Sequence, residues 1–490
     1  MEKCLFLGKK CRILVSMSTL AKNTALLTGA SILQKAVAFV YFALIARSVG
    51  VEDTGAYFLA LAMITTIGVL DDLGCTSVLI RDVARDPAHA KGLLQRTLGI
   101  KLVAIPITVA IAFVLPPLMG YSDASAFLVR LAVPIMLADT LSLTFYGVLR
   151  GMQELRYESL GIFVGQSLTT IGGVIVIFSG NTSLPLLIGA LIAGSVWNAL
   201  LSAYQVGKRL GVQAFVPSLN GAKLTLGTAL PFFLAAVFVK IYSYVDSFTL
   251  NLVIGKAAVG FYSVAYKLTY AFQFLPLAFV GALYPRMSSL TNKPEELKRV
   301  FLNAEWYMAF LMTPIVFGIA ALAPEIVLMM YGKEYLPSVV PLIALIFVLL
   351  PIFLDFPVGS LLNATGRQIT KTAIMGVTMV VNFAANMVLI RTLGIVGASV
   401  AALISFVTMF GLGVFMLRRQ IHVSFREWIQ TIGGFLLAGI VMMIVVLFAK
   451  MIMPWMVTIP VGALVFVTIA VGTRALTLEH WNHARNLLRR

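Results

Sequence analysis

Charge is scarce in this sequence. Only 12% of its 490 residues are Asp, Glu, Lys or Arg, where a soluble globular chain carries about a quarter. The acidic side is thinnest, with 20 Asp and Glu against 37 Lys and Arg. Histidine and cysteine are nearly absent, at 4 and 3 residues. His89, His422, His480 and His483 lie outside the apolar runs, and Cys4, Cys11 and Cys75 form no ligand spacing. Neither a metal centre nor a disulfide framework is expected, and no cofactor. Long polar stretches are missing too. The widest gaps between apolar runs, near 71–98, 205–228 and 282–301, have room for an interfacial helix but not for a soluble catalytic module. These absences argue against an enzyme and against a nucleic-acid-binding domain.

In place of charge the chain has apolar runs of about twenty residues, each enough to cross roughly 30 Å of hydrocarbon as a helix. They fall near 25–46, 55–70, 99–119, 125–147, 159–179, 184–204, 229–252, 259–281, 302–322, 338–358, 371–390, 395–416, 431–449 and 454–473. The expected fold class is an all-α polytopic membrane protein of about 14 transmembrane helices. Basic residues alternate along the connections. The N-terminal tail and the even-numbered loops gather about 28 of the 37, including Arg81, Arg85, Lys91, Arg96 and Lys101 and the set Arg286, Lys293, Lys298 and Arg299. The odd-numbered loops hold Arg47, Lys256, Lys333, Arg391 and Lys450. The positive-inside rule then puts both termini on the cytoplasmic side of the cell membrane. The formal charge of +17 is a signature of that topology, with some attraction to anionic membrane lipids. No cleavable signal is read at the start. Met17 is a candidate first residue, since Met17-Ser-Thr-Leu-Ala-Lys leads straight into the first span.

The runs are duplicated. Gly50-x4-Gly55-x-Tyr57 recurs as Gly255-x4-Gly260-x-Tyr262, and 15 residues before each first glycine stands a lone lysine, Lys35 or Lys240. The expected organisation is an N-lobe of six helices over 1–215, a C-lobe of six over 216–420, and two further helices with a tail over 421–490. Each six-helix unit holds an even number of spans, so the two lobes share orientation and are pseudo-symmetric about an axis along the membrane normal. A substrate is then expected between the lobes near the midplane.

Four basic residues are placed well inside spans: Lys35, Arg130, Lys240 and Lys267. A lysine at the centre of a bilayer helix costs at least about 2.5–3.5 kcal/mol, which calls for a hydrated or anion-paired setting. Thr24, Thr28 and Ser31 lead up to Lys35 along one helix face, and Ser243 and Tyr244 follow Lys240 one turn on. Lys35 and Lys240 are read as contacts for a phosphate, with bundle-pinning ion pairs as the alternative. Lys267 is read either as a third anion contact or as a partner for Asp246. Asp139 and Asp355, on the fourth and tenth spans, are candidate ion-coupling groups together with Asp246, and ordinary salt bridges are the plainer alternative. Glu305 is read as solvated near a helix end, and Asp71 and Asp72 as lying at a membrane face. Arg130 is read as snorkelling. Pro106, Pro116, Pro276, Pro314 and Pro351 are expected to bend their helices.

Three segments carry a family resemblance: Leu70-Asp71-Asp72-Leu73-Gly74 leading into Arg81-Asp82-Val83-Ala84-Arg85, the stretch 255–268 reading GKAAVGFYSVAYKL, and Leu393-Gly394-Ile395-Val396-Gly397-Ala398. In their order and spacing they resemble the polysaccharide-export, or oligosaccharide flippase, branch of the multidrug/oligosaccharidyl-lipid/polysaccharide (MOP) exporter superfamily. The resemblance implies a flippase that moves a polyprenyl-phosphate- or polyprenyl-diphosphate-linked oligosaccharide across the cytoplasmic membrane by alternating access. It implies a lipid-linked glycan as substrate, a coupling proton or sodium ion, and a monomer. Two alternatives stay open, a multidrug cation antiporter of the same superfamily and a membrane-embedded glycan polymerase or ligase.

Overall fold

The third span of this protein is apolar outside and polar or small inside. On the third span Lys101, Ala104, Thr108 and Ala112 turn inward while Leu102, Val103, Ile107 and Val114 are exposed. That arrangement suits a helix whose solvent is lipid, where the interior stripe carries the small and polar groups. In the computed structural model, which describes residues 28–418 and 420–476, every regular element is helical and no strand occurs among the described residues. The candidate start at Met17, the stripe residue Thr24 and the pair His480 and His483 lie outside the described residues.

Thirteen helices among the described residues are long and apolar enough to cross a membrane. In chain order they are α1 (Thr28–Val49), α2 (Val51–Asp72), α3 (Pro87–Leu118), α4 (Asp123–Gly151), α5 (Leu155–Phe178), α6 (Leu184–Leu210) and α7 (Ala222–Val253). After the element we number α8 come α9 (Pro294–Ala321), α10 (Lys333–Ala364), α11 (Gln368–Leu393), α12 (Ile395–Leu417), α13 (Arg426–Ala449) and α14 (Trp455–Gly472). The fourteenth expected span, α8, is two helices, Lys256–Tyr270 and Phe274–Ser288, joined by a 3-10 turn over Ala271–Gln273. Each expected apolar run thus has its helix, though several helices, α3 from Pro87 and α9 from Pro294 among them, begin in polar turns that the runs leave out.

The chain divides into two units, one ending at Tyr244 and one beginning at Val245, so the division falls inside α7. In the first unit a short helix, Cys75–Arg85, follows α2, and α5 and α6 pack through small residues. A Cβ on Gly194 would stand 2.6 Å from the Gly165 carbonyl oxygen, so the backbones meet more closely than any side chain allows. In the second unit the capping box of Ser424 and Glu427 starts α13, which packs with α14 against α9 through Trp306, Phe310, Phe435 and Phe466.

The repeat has a structural meaning. Gly50 and Gly255 each cap the following helix with φ of 83° and 116° and ψ near 175°. That region of backbone space is open in practice to glycine alone. Each glycine ends one helix and turns the chain into the next, and the tyrosine seven residues on, Tyr57 or Tyr262, is buried.

Three spans break midway at prolines. The second segments of α4, α8 and α10 begin at Val133, Phe274 and Leu349, with Pro134, Pro276 and Pro351 in their first turns. A proline is tolerated there because the first-turn N–H groups have no helical partner to lose. Pro106, Pro116 and Pro314 instead lie inside unbroken helices.

Candidate functional site

In the first unit, residues of α2, α4 and α7 enclose a cavity of about 370 Å³. Lys240, Asp139, Asp72, Thr140 and Thr65 supply its polar groups, and Ile64, Ile135, Met136 and Leu143 much of its apolar wall. Asp139, which α4 presents seven residues into its second segment, opens onto the cavity. The Lys240 ammonium stands 5.8 Å above the Tyr244 ring, a cation–π contact that holds charge without cancelling it. A cation beside hydrogen-bonding oxygens and apolar wall can hold an anionic polar headgroup.

Behind the wall lies a buried ionic network. Lys101, 1% exposed, donates to Asp72 Oδ1 at 3.0 Å, to Thr140 Oγ1 at 2.8 Å and to the Asp71 carbonyl at 3.4 Å. Asp72 also accepts from the Thr76 hydroxyl, and the buried Asp71 accepts from Thr108. Asp71, expected at a membrane face, is 0% exposed. Two expectations are corrected here: Lys101 is not a loop residue, and the basic residues inside spans number more than four. The reason is the true start of α3, whose helical turns begin at Pro87 with the Asp86 side chain capping the Ala88 N–H. Lys101 is therefore 14 residues beyond Pro87 in a continuous helical stretch. The signal was in the sequence, since Asp-Pro is a cap followed by a first-turn proline.

Lys35 is exposed on α1 and forms no hydrogen bond or ion pair among the described residues; it is not part of the cavity wall. Thr28 and Ser31 are half-buried on the same helix. Arg130 is exposed and lies 5.7 Å over the Phe113 ring.

The remaining candidates belong to the second unit. Asp246, 1% exposed, accepts from the Tyr262 hydroxyl at 2.8 Å and from Asn386 Nδ2 at 2.7 Å. Asn386 is held in turn by Asn382. The repeat tyrosine Tyr262 thus orients a buried carboxylate, a link across 140 residues in the case of Asn386 that no local pattern reveals. Lys267 is half-buried on the first segment of α8. Asp355 accepts from Lys371 Nζ at 2.5 Å. Asp139 and Asp355 are each the seventh residue of the proline-started segment of their broken helices, counted from Val133 and from Leu349. Glu305 is also corrected: α9 starts at Pro294, so Glu305 is its twelfth residue and has 0% exposure.

Residues 20–291 match the family described as polysaccharide biosynthesis proteins, which is more than half of the chain. The chain belongs to this family. It is 24% identical over 428 residues to the probable low-salt glycan biosynthesis flippase Agl15 of Haloferax volcanii, covering 86% of this chain and 89% of that one. Its fold is similar to that of the lipid II flippase MurJ in an inward closed conformation, with a TM-score of 0.77 and 16% identity over 92% of this chain and 99% of the other. It is similar as well to a multidrug resistance MATE family transporter of the MOP superfamily in an inward-facing conformation, with a TM-score of 0.67 and 17% identity over 79% and 94% of the two chains.

Proposed function

We propose that this protein is a flippase that carries a polyprenyl-phosphate- or polyprenyl-diphosphate-linked oligosaccharide across the cytoplasmic membrane by alternating access, in the building of a polysaccharide or glycan. The observation that carries the proposal is the cavity in which Lys240, ion-paired to no carboxylate among the described residues, stands beside Asp139, Thr140 and Thr65. Family membership and the flippase relative support the same reading. Lys240 holds the phosphate, Lys35 receives it along α1, and Lys267 is a further anion contact. The prenyl tail stays in lipid while the headgroup crosses.

Coupling falls to Asp246. It is buried among neutral donors, so a proton or sodium ion can change its charge. Asp355 has Lys371 as a counter-ion and Asp139 faces the cavity, which leaves both less suited to that task. Both termini are cytoplasmic, the protein works as a monomer, and its lobes follow the duplicated plan of the sequence. Deleting the gene tests the function: a lipid-linked glycan should accumulate on the cytoplasmic face. The multidrug antiporter reading is favoured by one observation, the carboxylates Asp72 and Asp139 in the cavity wall. It predicts instead that the deletion leaves lipid-linked glycans unchanged and raises sensitivity to cationic drugs.

A further inference from the structure

The second unit holds a buried acid that nothing above employs. Glu305 has 0% exposure, and neither carboxyl oxygen has a hydrogen-bond partner among the described residues. Counted from Pro294 at 1.5 Å per residue, it lies roughly 16 Å into α9. Two more unsatisfied buried polar atoms belong to its surroundings. The Trp428 indole lies against the carboxyl without closing a hydrogen bond of normal geometry, and Asp355, within electrostatic range, has Oδ1 unpartnered while Oδ2 is taken by Lys371. Buried polar atoms are nearly always satisfied, so several orphaned atoms around one acid mark a place where something small is exchanged.

The occupant can be narrowed by charge. Lys371 neutralises Asp355 and repels a metal ion, and an indole N–H cannot ligate one. No cluster of three or more His, Cys, Asp or Glu side chains that could hold a metal occurs among the described residues. The other charges on elements packed against α9 are engaged or distant. Glu427 of α13 is paired with Lys298 at 2.7 Å, and Glu325 with Lys450 at 3.0 Å. Arg286, Arg426, Lys333 and Glu334 sit near helix ends, and α14 has no charged side chain.

We propose that Glu305 is a proton-binding site of the second unit, taking its proton from water and returning it to water as the unit opens and closes. This rests on the transport reading for its purpose but not for its existence. With the proton on, the carboxyl is neutral and Lys371 stays with Asp355. With the proton off, two carboxylates, Glu305 of α9 and Asp355 of α10, repel one another, and the α9–α10 contact must rearrange. The site thereby ties a proton to the packing of those two helices.

Infrared spectroscopy of the purified full-length protein in lipid nanodiscs reads that proton without any substrate. At neutral pH the expected result is a carbonyl band of a protonated carboxylic acid. It should shift in heavy water, fade as pH rises, ignore exchange of sodium for potassium, and be lost in Glu305→Gln but kept in Asp246→Asn. If Glu305→Gln fails to insert, Glu305→Asp must move the band or the pH at which it fades. No band, a band kept in Glu305→Gln, a band unmoved in Glu305→Asp, a band fixed at every pH, or one removed by sodium would each overturn the proposal. A failure of the flippase assignment would show separately, as unchanged glycan translocation in a deletion strain with the band intact.

Discussion

The residues that matter most here are few because each buried charge needs its own company. Lys101 is the clearest case. Replacing it with alanine strands Asp72 beside the buried Asp71, and removing one member of a buried pair costs about 3–5 kcal/mol. Lys101→Ala should therefore lower both the amount of inserted protein and its melting temperature in detergent, with Lys101→Ala, Asp72→Asn recovering part of the loss. Lys240→Ala should behave differently, since Lys240 is held by a ring face and not by a carboxylate. Its folding should be near normal and its transport impaired. Asp246 gives a third contrast. If it carries the coupling ion, Asp246→Asn should stay inserted, because Tyr262 and Asn386 can also satisfy an amide, while transport loses its dependence on an ion gradient. Transport that keeps full gradient dependence in Asp246→Asn would remove it from that role.

At the scale of elements, the sequence pattern predicts the helices well and their ends poorly. Apolar runs locate all the spans because twenty apolar residues have few other uses. They mislead where a helix begins in polar turns, as with Pro87-Ala-His-Ala-Lys at the start of α3 and Pro294-Glu-Glu-Leu-Lys at the start of α9. Lys101 and Glu305 were misplaced for that one reason. The long-range hydrogen bonds were hidden for another: Asp246 meets Asn386 and Lys101 meets Thr140 only once distant helices pack. The duplicated glycines were legible, and they carry a prediction. Gly50→Ala and Gly255→Ala place a Cβ in a region of backbone space that costs of order 1–3 kcal/mol. Both should reduce folded protein to a similar extent, whereas Gly29→Ala, within α1 and with open space around it, should be neutral. The comparison is read from the detergent-stable fraction of each variant.

For the whole molecule, the alternation of basic loops fixes an expected topology that labelling can test. In a cysteine-free background, single cysteines at Ala257 and Lys333 should react with an impermeant thiol reagent added to intact cells. Those at Gly92 and Lys293 should not. All four positions are exposed, so reactivity reports the side of the membrane and not burial. Labelling at Gly92 and Lys293 from outside would invert the orientation and, with it, the side from which substrate is loaded.

The central claim is that Lys35 and Lys240 receive the phosphate of a lipid-linked oligosaccharide. It is tested by translocation of that lipid-linked glycan per molecule of inserted protein. Loss of a hydrogen bond to a charged group is worth about 1.5–3 kcal/mol. At a tenfold change for every 1.4 kcal/mol, Lys35→Ala and Lys240→Ala should each slow transport by roughly ten- to a hundredfold. Lys240→Arg should restore much of it and Lys240→Gln should not. Normal translocation per inserted molecule in the Lys35→Ala, Lys240→Ala double variant would contradict the account.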